Sequence, residues 1–166
     1  MTHTSYLLLG SNLGKREEIV EKATLSINQI IGTVSEYSSI YETLAWGIED
    51  QPAFLNQVIK VETILNPHQL LTTINKIEKE LGRIRHKKWA ERLIDIDILY
   101  YDDIVMDTPH LTIPHAEIVN RKFTLAPLAE VAPKLIHPVL GKTQLELLRD
   151  CNDGLEVKKI ISRPPK

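Results

Sequence analysis

Residues 33–64, TVSEYSSIYETLAWGIEDQPAFLNQVIKVETI, decide the fold. Residues 33–42 read as a strand of poor alternation, and residues 54–64 as a second strand. The stretch between them, 44–52, holds Gly47, Pro52 and acidic residues and reads as a loop. Two consecutive strands with no helix between them argue against a parallel, doubly wound sheet, which requires alternating strand–helix units.

Working outward, residues 5–10 form a short buried strand that ends at Gly10. A helix over 15–31 comes next, with Ile19, Ala23, Ile27 and Ile30 in helical spacing and Gly32 placed to end it. In Gly10-Ser11-Asn12-Leu13-Gly14-Lys15 only three residues separate the glycines, and Arg16 stands where a P-loop needs Ser or Thr. That segment reads as a tight strand-to-helix turn, with Asn12 near the cap. On the other side, Asn66-Pro67 gives an N-cap and a first-turn proline, and Leu70, Ile74, Ile77 and Leu81 make one apolar helical face that Gly82 closes. Residues 83–91 read as a basic loop and 93–101 as a strand. Pro109, Pro114, Pro127, Pro133 and Pro138 divide the rest of the chain into short pieces. Thr143 to Glu146 matches a capping box before a last helix. The order strand–helix–strand–strand–helix–strand predicts an α+β, ferredoxin-like βαββαβ core with an antiparallel sheet and a C-terminal extension. With no repeat or linker, residues 1–166 read as a single domain.

Residues 93–101 also carry the chemistry. In a strand, alternate side chains share a face. Ile94, Ile96 and Ile98 then point into a core while Asp95 and Asp97 point together the other way, their Cα atoms about 6–7 Å apart. Two carboxylates that close repel unless they share a cation, and hard oxygen ligands suit magnesium with substrate phosphates. A solvated face whose acids pair with lysines is the competing reading. The neighbouring sequence bears on the choice: from Lys79 to Arg92, six lysines and arginines face two glutamates, with His86 in addition. Cations beside a metal-binding acid pair are what polyphosphate recognition needs. A helix end would account for Lys79 or Arg83 but not for Arg92, at the strand entrance.

Composition excludes other classes. Hydrophobic residues make up 43% and charged residues 25% of the 166, and the formal net charge of −2 gives no general affinity for nucleic acid or anionic membrane. Cys151 is the only cysteine, so neither an intrachain disulfide nor a four-cysteine zinc site can form. The N-terminus lacks the basic start of a signal peptide, and no stretch approaches the roughly 20 apolar residues of a membrane span. A cytoplasmic monomer is the expectation. A nucleotidyltransferase could use the same acid pair. A ferredoxin-like RNA-binding module would instead present aromatics, not acids, on its sheet strands.

Taken in order, six segments resemble the 6-hydroxymethyl-7,8-dihydropterin pyrophosphokinase family. They are Gly10-Ser11-Asn12-Leu13-Gly14, Gln51-Pro52-x-Phe54-Leu55-Asn56, Gly82-Arg83-x-Arg85, Trp89-Ala90-Glu91-Arg92-x-x-Asp95-Ile96-Asp97-Ile98-Leu99, Leu111-Thr112-Ile113-Pro114-His115 and Asn120-Arg121-x-Phe123. The resemblance implies diphosphoryl transfer from ATP to the pterin's hydroxymethyl group in folate synthesis. It implies two Mg2+ ions held by Asp95 and Asp97, with Arg83 and Arg92 steadying the polyphosphate and Arg92 the stronger candidate at the transition state. His115, Arg121 and Arg85 would assist ATP binding, with Thr112 and the Ile98 backbone near the adenine. Thr43, Phe54, Asn56 and Phe123 would form the pterin pocket, and Trp89 would help close the basic loop over it. The chain departs from the family's usual Trp-Gly-Pro-Arg in carrying Trp89-Ala90-Glu91-Arg92. The family includes fusions with neighbouring folate enzymes, for which 166 residues leave no room.

Overall fold

A computed structural model describes residues 1–12, 14–43, 53–82 and 93–161, residue 161 by its backbone only. Among the described residues, eight strands and four α-helices are arranged as β1 (His3–Ser11), α1 (Arg16–Ile30), β2 (Gly32–Tyr37), β3 (Ile40–Thr43), β4 (Phe54–Thr63), α2 (Pro67–Gly82), β5 (Asp95–Tyr101), β6 (Met106–Asp107), β7 (Thr112–Ile113), α3 (Lys122–Val131), α4 (Gln144–Arg149) and β8 (Val157–Ile161). A 3-10 turn, Ile118–Asn120, precedes α3.

β1 is the central strand, antiparallel to β4 on one side and to β5 on the other. β2 and β3 both pair with β4, so the sheet runs β5-β1-β4-β3 in the ferredoxin-like manner. The strand expected at 33–42 is broken at Ser38–Ser39. There the Ser38 amide donates to the Val58 carbonyl, and the Ser38 hydroxyl accepts from the Val58 amide. The C-terminal extension adds an element that the sequence reading did not identify: β8 pairs antiparallel with β3.

β1 reads as a continuous apolar run because both its faces are covered. Leu7 and Leu9 join Ile59, Val61, Ile96 and Ile98 against Ala23 and Ile27 of α1 and Leu70, Ile74 and Ile77 of α2. Tyr6 and Leu8 join Val58, Leu99 and Tyr100 against Ile118, Leu125, Leu128 and Leu147. The C-terminal extension therefore closes the second face of the sheet. Ile74 is fully buried, and its truncation to alanine should cost about 2–5 kcal/mol.

Three local expectations are corrected. The buried stripe of α1 runs Val20, Ala23 and Ile27 and continues to Ile31, whereas Ile30 is 45% exposed. Four residues advance a helix by about 40° and three by about −60°, so Ile31 falls nearer the stripe. Asn12 does not cap α1; Lys15 holds that position without a side-chain bond, and Gly14 takes the turn at φ +64°. Pro127 does not end an element but lies inside α3, where it leaves the Phe123 carbonyl without its amide partner. Burial of Thr124, Leu125, Leu128 and Ala129 around it offsets that cost. The other two helix starts agree with the sequence. Asn66 and Gln69 exchange reciprocal side-chain to backbone bonds of 2.9 Å, and Thr143 and Glu146 form the expected capping box.

Candidate active site

The site is built on β5, at one edge of this sheet. Ile96 and Ile98 enter the core against α1 and α2, which turns Asp95 and Asp97 to the opposite face. Asp95 is exposed and Asp97 half-buried. Leu93 and Leu99, both buried, flank them. Among the described residues no group of three or more His, Cys, Asp or Glu is placed to hold a metal. Two carboxylates alone make an open oxygen donor set. That suits magnesium, which takes one or two carboxylates and completes its shell with water and phosphate oxygens, and not a closed structural zinc site.

Register carries this face across the sheet. Gly10 of β1 lies opposite Asp95 on one side and Asn56 of β4 on the other, and Asn56 lies opposite Tyr41 of β3. Directly paired residues share a face, so Asp95, Gly10, Asn56 and Tyr41 form one row. Thr43 and Phe54 pair with each other two residues along and belong to the same face. A side chain at Gly10 would bring its Cβ to 2.7 Å from Asn56 Nδ2, so the Asn56 amide can keep this position only over glycine. The Asn56 amide donates to the Leu9 carbonyl at 3.4 Å. Its Oδ1 and the Thr43 hydroxyl are buried, and neither has a hydrogen-bond partner among the described residues. Buried polar atoms are normally paired. Two such atoms on one face can bond a polar ligand.

The outer edge of β5 is shaped by a bulge. Tyr6 pairs with Tyr100 and Leu7 with Ile98, which leaves Leu99 extra. Its carbonyl accepts from the His115 amide at 3.0 Å, drawing the segment after β7 alongside the acid-bearing strand. His115 Nδ1 accepts from the Glu117 amide, so the neutral ring carries its proton on Nε2 as a donor. The Ile96 amide is taken by Glu78 of α2 on this outer edge. By antiparallel alternation, the N–H and C=O of Ile98 face the same edge. Thr112 is exposed and donates to Asp107 across the β6–β7 pair. Arg121 precedes α3, its guanidinium carbon 5.5 Å from the centre of the Phe123 ring.

The structure thus brings Asp95, Asp97, Thr43, Phe54 and Asn56 to one face, which α3, bearing Phe123, also covers. It sets Ile98 and His115 along the edge of β5. Arg83, Arg85, Trp89 and Arg92, and the loop expected at 44–52, lie outside the described residues. Ser11 donates its buried hydroxyl to the Leu93 carbonyl at 2.6 Å and so has a structural partner. Sequence alone shows Gly10 only as a strand end. The register that makes it the floor between Asp95 and Asn56 depends on strands more than 40 residues away.

The fold and the acid-bearing edge strand suit an α+β enzyme that handles phosphorylated substrates. Residues 6–133 match the family model of 7,8-dihydro-6-hydroxymethylpterin-pyrophosphokinase, and the chain belongs to that family. It is 45% identical over 139 residues to the 2-amino-4-hydroxy-6-hydroxymethyldihydropteridine pyrophosphokinase of Aquifex aeolicus, covering 84% of this chain and 86% of that one. It is 42% identical to the enzyme of the same name from Bacillus subtilis, covering 81% of each. Among solved structures, a Plasmodium falciparum HPPK-DHPS superposes with a TM-score of 0.77 at 19% identity, over 90% of this chain and 45% of the longer one, a likeness of fold.

Proposed function

We propose that this face of the sheet divides the reaction between a donor half at Asp95 and Asp97 and an acceptor half at Thr43, Phe54, Asn56 and Phe123. The overall reaction is that of the family: a diphosphate passes from ATP to the hydroxymethyl group of 6-hydroxymethyl-7,8-dihydropterin, releasing AMP, in folate synthesis. A kinase of this kind works with a divalent cation on its nucleotide. We assign the cation as Mg2+, two ions per ATP, held by Asp95 and Asp97.

The observation that carries the division is the pair of orphaned buried atoms, Thr43 Oγ1 and Asn56 Oδ1, on the face that presents the acids. A pterin ring edge carries amino and ring N–H donors. Asn56 Oδ1 and Thr43 Oγ1 can accept from them, while Phe54 and Phe123 offer faces for the ring. The hydroxymethyl group would then point along the row over Gly10 toward Asp95. Its oxygen attacks the β-phosphorus in line and gives up its proton to water, and the bond to the α-phosphate oxygen breaks, AMP leaving with that oxygen. Magnesium, when bound, neutralises phosphate charge and orients the chain of phosphates. His115 Nε2 and Arg121 would bind nucleotide phosphates, and Arg83, Arg85 and Arg92 would bring positive charge to the same groups. The Ile98 backbone edge and Thr112 would meet the adenine, and Trp89 would shield the acceptor. Orientation and charge neutralisation then account for most of the acceleration.

We further take residues 1–166 as one domain acting as a monomer in the cytoplasm. Among the described residues no helix is long and apolar enough to cross a membrane. The test of the reaction is product identity by mass after incubation with ATP, Mg2+ and the hydroxymethyl-dihydropterin. AMP and a pterin diphosphate are expected. Pyrophosphate with an adenylylated pterin would mean attack at the α-phosphorus and sink the proposal.

A further inference from the structure

Glu130 is a largely enclosed carboxylate to which the proposed chemistry gives no part. Its side chain is 16% exposed and lies on α3, near the C-terminal end of that helix. One oxygen accepts from the Ser39 amide at 2.8 Å and the Tyr41 hydroxyl at 2.9 Å; the other accepts from the Ser39 hydroxyl at 2.7 Å and lies 3.9 Å from Lys159 Nζ of β8. A single carboxylate therefore ties α3 to the break between β2 and β3, to the side chain of β3 that faces Asn56 in register, and to β8.

Phe123 lies seven residues before Glu130 on α3. Two helical turns separate them, so both project from the same side of the helix. Phe123 belongs to one wall of the proposed acceptor pocket, and Thr43, Phe54 and Asn56 to the other. The apolar contacts under α3 are non-directional and could hold the helix at more than one offset. The Glu130 bonds fix a distance.

We propose that Glu130 is a positioning residue for the acceptor site, setting the separation between the α3 wall that carries Phe123 and the β3–β4 wall that carries Thr43, Phe54 and Asn56. The proposal rests on that assignment of the pocket. Glu130 acts through Tyr41 and Ser39 and touches neither substrate. Substitution should consequently disturb pterin binding more than nucleotide binding, because on the nucleotide side only Arg121 adjoins α3, while Asp95, Asp97 and His115 stand on β5 and the segment after β7.

The test compares Glu130→Ala, Glu130→Gln and Asn56→Ala. Calorimetric titration of 6-hydroxymethyl-7,8-dihydropterin would be run in the presence of a non-hydrolysable ATP analogue and Mg2+, and the analogue would be titrated separately. Glu130→Ala should weaken pterin binding about ten-fold, the scale of one or two lost buried hydrogen bonds. Its affinity for the analogue should stay within about two-fold. Glu130→Gln keeps the length and an oxygen that can accept from the Ser39 amide and Tyr41, so it should restore pterin affinity to within about three-fold of wild type. If Glu130→Ala does not fold, Tyr41→Phe, which deletes one of the bonds and keeps the ring, should show the same selective loss to a smaller degree. Equal loss of both ligands in Glu130→Ala, or no recovery in Glu130→Gln, would reduce the residue to a stabilising contact and overturn the proposal. Unchanged pterin affinity in Glu130→Ala with weakened affinity in Asn56→Ala would overturn it alone. Unchanged affinity in both would show that the pocket assignment has failed and taken the proposal with it.

Discussion

Asp95 and Asn56 face the same residue, Gly10, from the two strands that flank β1. Two strand spacings separate them, about 10 Å, a span that a hydroxymethyl group and a diphosphate can bridge. Gly10 itself adds only hydrogen to the middle of that row, and the Asn56 amide leans over it, its Nδ2 2.7 Å from where a Cβ would stand.

Gly10→Ala tests whether this floor has to be bare. The added Cβ would meet Asn56 Nδ2 at 2.7 Å, and the amide would have to shift away from the Leu9 carbonyl. Overpacking of this sort costs about 1–3 kcal/mol. Steady-state kinetics should show a raised KM for the pterin with KM for ATP nearly unchanged. A variant that loses affinity for both substrates alike would show that Gly10 serves the sheet and not the acceptor.

Asp97→Ala and Asp95→Ala should each lower kcat by about two to three orders of magnitude, the scale of losing a preorganised charge contact at the reacting phosphates. Both side chains lie on the face away from Ile96 and Ile98, so thermal unfolding without metal should stay within about 2 °C of wild type. Near-normal turnover in either variant would remove the metal assignment.

The ferredoxin-like core was legible because its signals are local. Asn66-Pro67, the Leu70–Ile74–Ile77 face and the alternation around Asp95 each lie within a few turns of chain. β8 was not legible, because Val157–Ile161 becomes a strand only by pairing with Ile40–Thr43, more than 110 residues earlier. Pro127 misled for a related reason: its local rule is overridden by the burial of a helix face against Tyr6, Leu8 and Val58. The acid pair could be read from period-two spacing. The bond between Ser39 and Glu130 could not, since nothing in either neighbourhood refers to the other across 91 residues.

Arg92 and Arg121 should respond differently to truncation. Arg121 flanks α3 with its guanidinium over the Phe123 ring, where it can meet a ground-state phosphate. Arg121→Ala should raise KM for ATP with a smaller change in kcat. Arg92→Ala should do the reverse, if its contact forms as charge develops on the transferring group. Loss of nucleotide affinity alone in both variants would end the distinction.

Acid should weaken the fold in two stages. Burial pushes the His137 imidazole below its ordinary 6.5, and its Nδ1 accepts from the Val139 and Leu140 amides, bonds that protonation there removes. Burial alone would push Glu130 up, but the Ser39 hydroxyl and amide, the Tyr41 hydroxyl and Lys159 together hold it below 4.5. Each group binds its proton more weakly in the folded state than in the unfolded chain. Each therefore contributes stability that is complete above its unfolded value and is lost as pH falls through the lower folded value. The protein should keep its full melting temperature above about pH 6.5 and lose a few degrees as His137 is forced to charge. A second decline should set in below about pH 4.5, where the unfolded chain takes up the proton that folded Glu130 still resists, and continue until Glu130 is protonated in the folded protein as well. Calorimetric melting of wild type and Glu130→Gln from about pH 7 to about pH 3 separates the two: the variants should differ by a constant amount above about pH 5 and converge below about 4.5. A gap that stays constant across the whole range would mean that the Glu130 charge adds nothing to the hold of α3 on β3, and that any brace there is made by hydrogen-bond geometry alone.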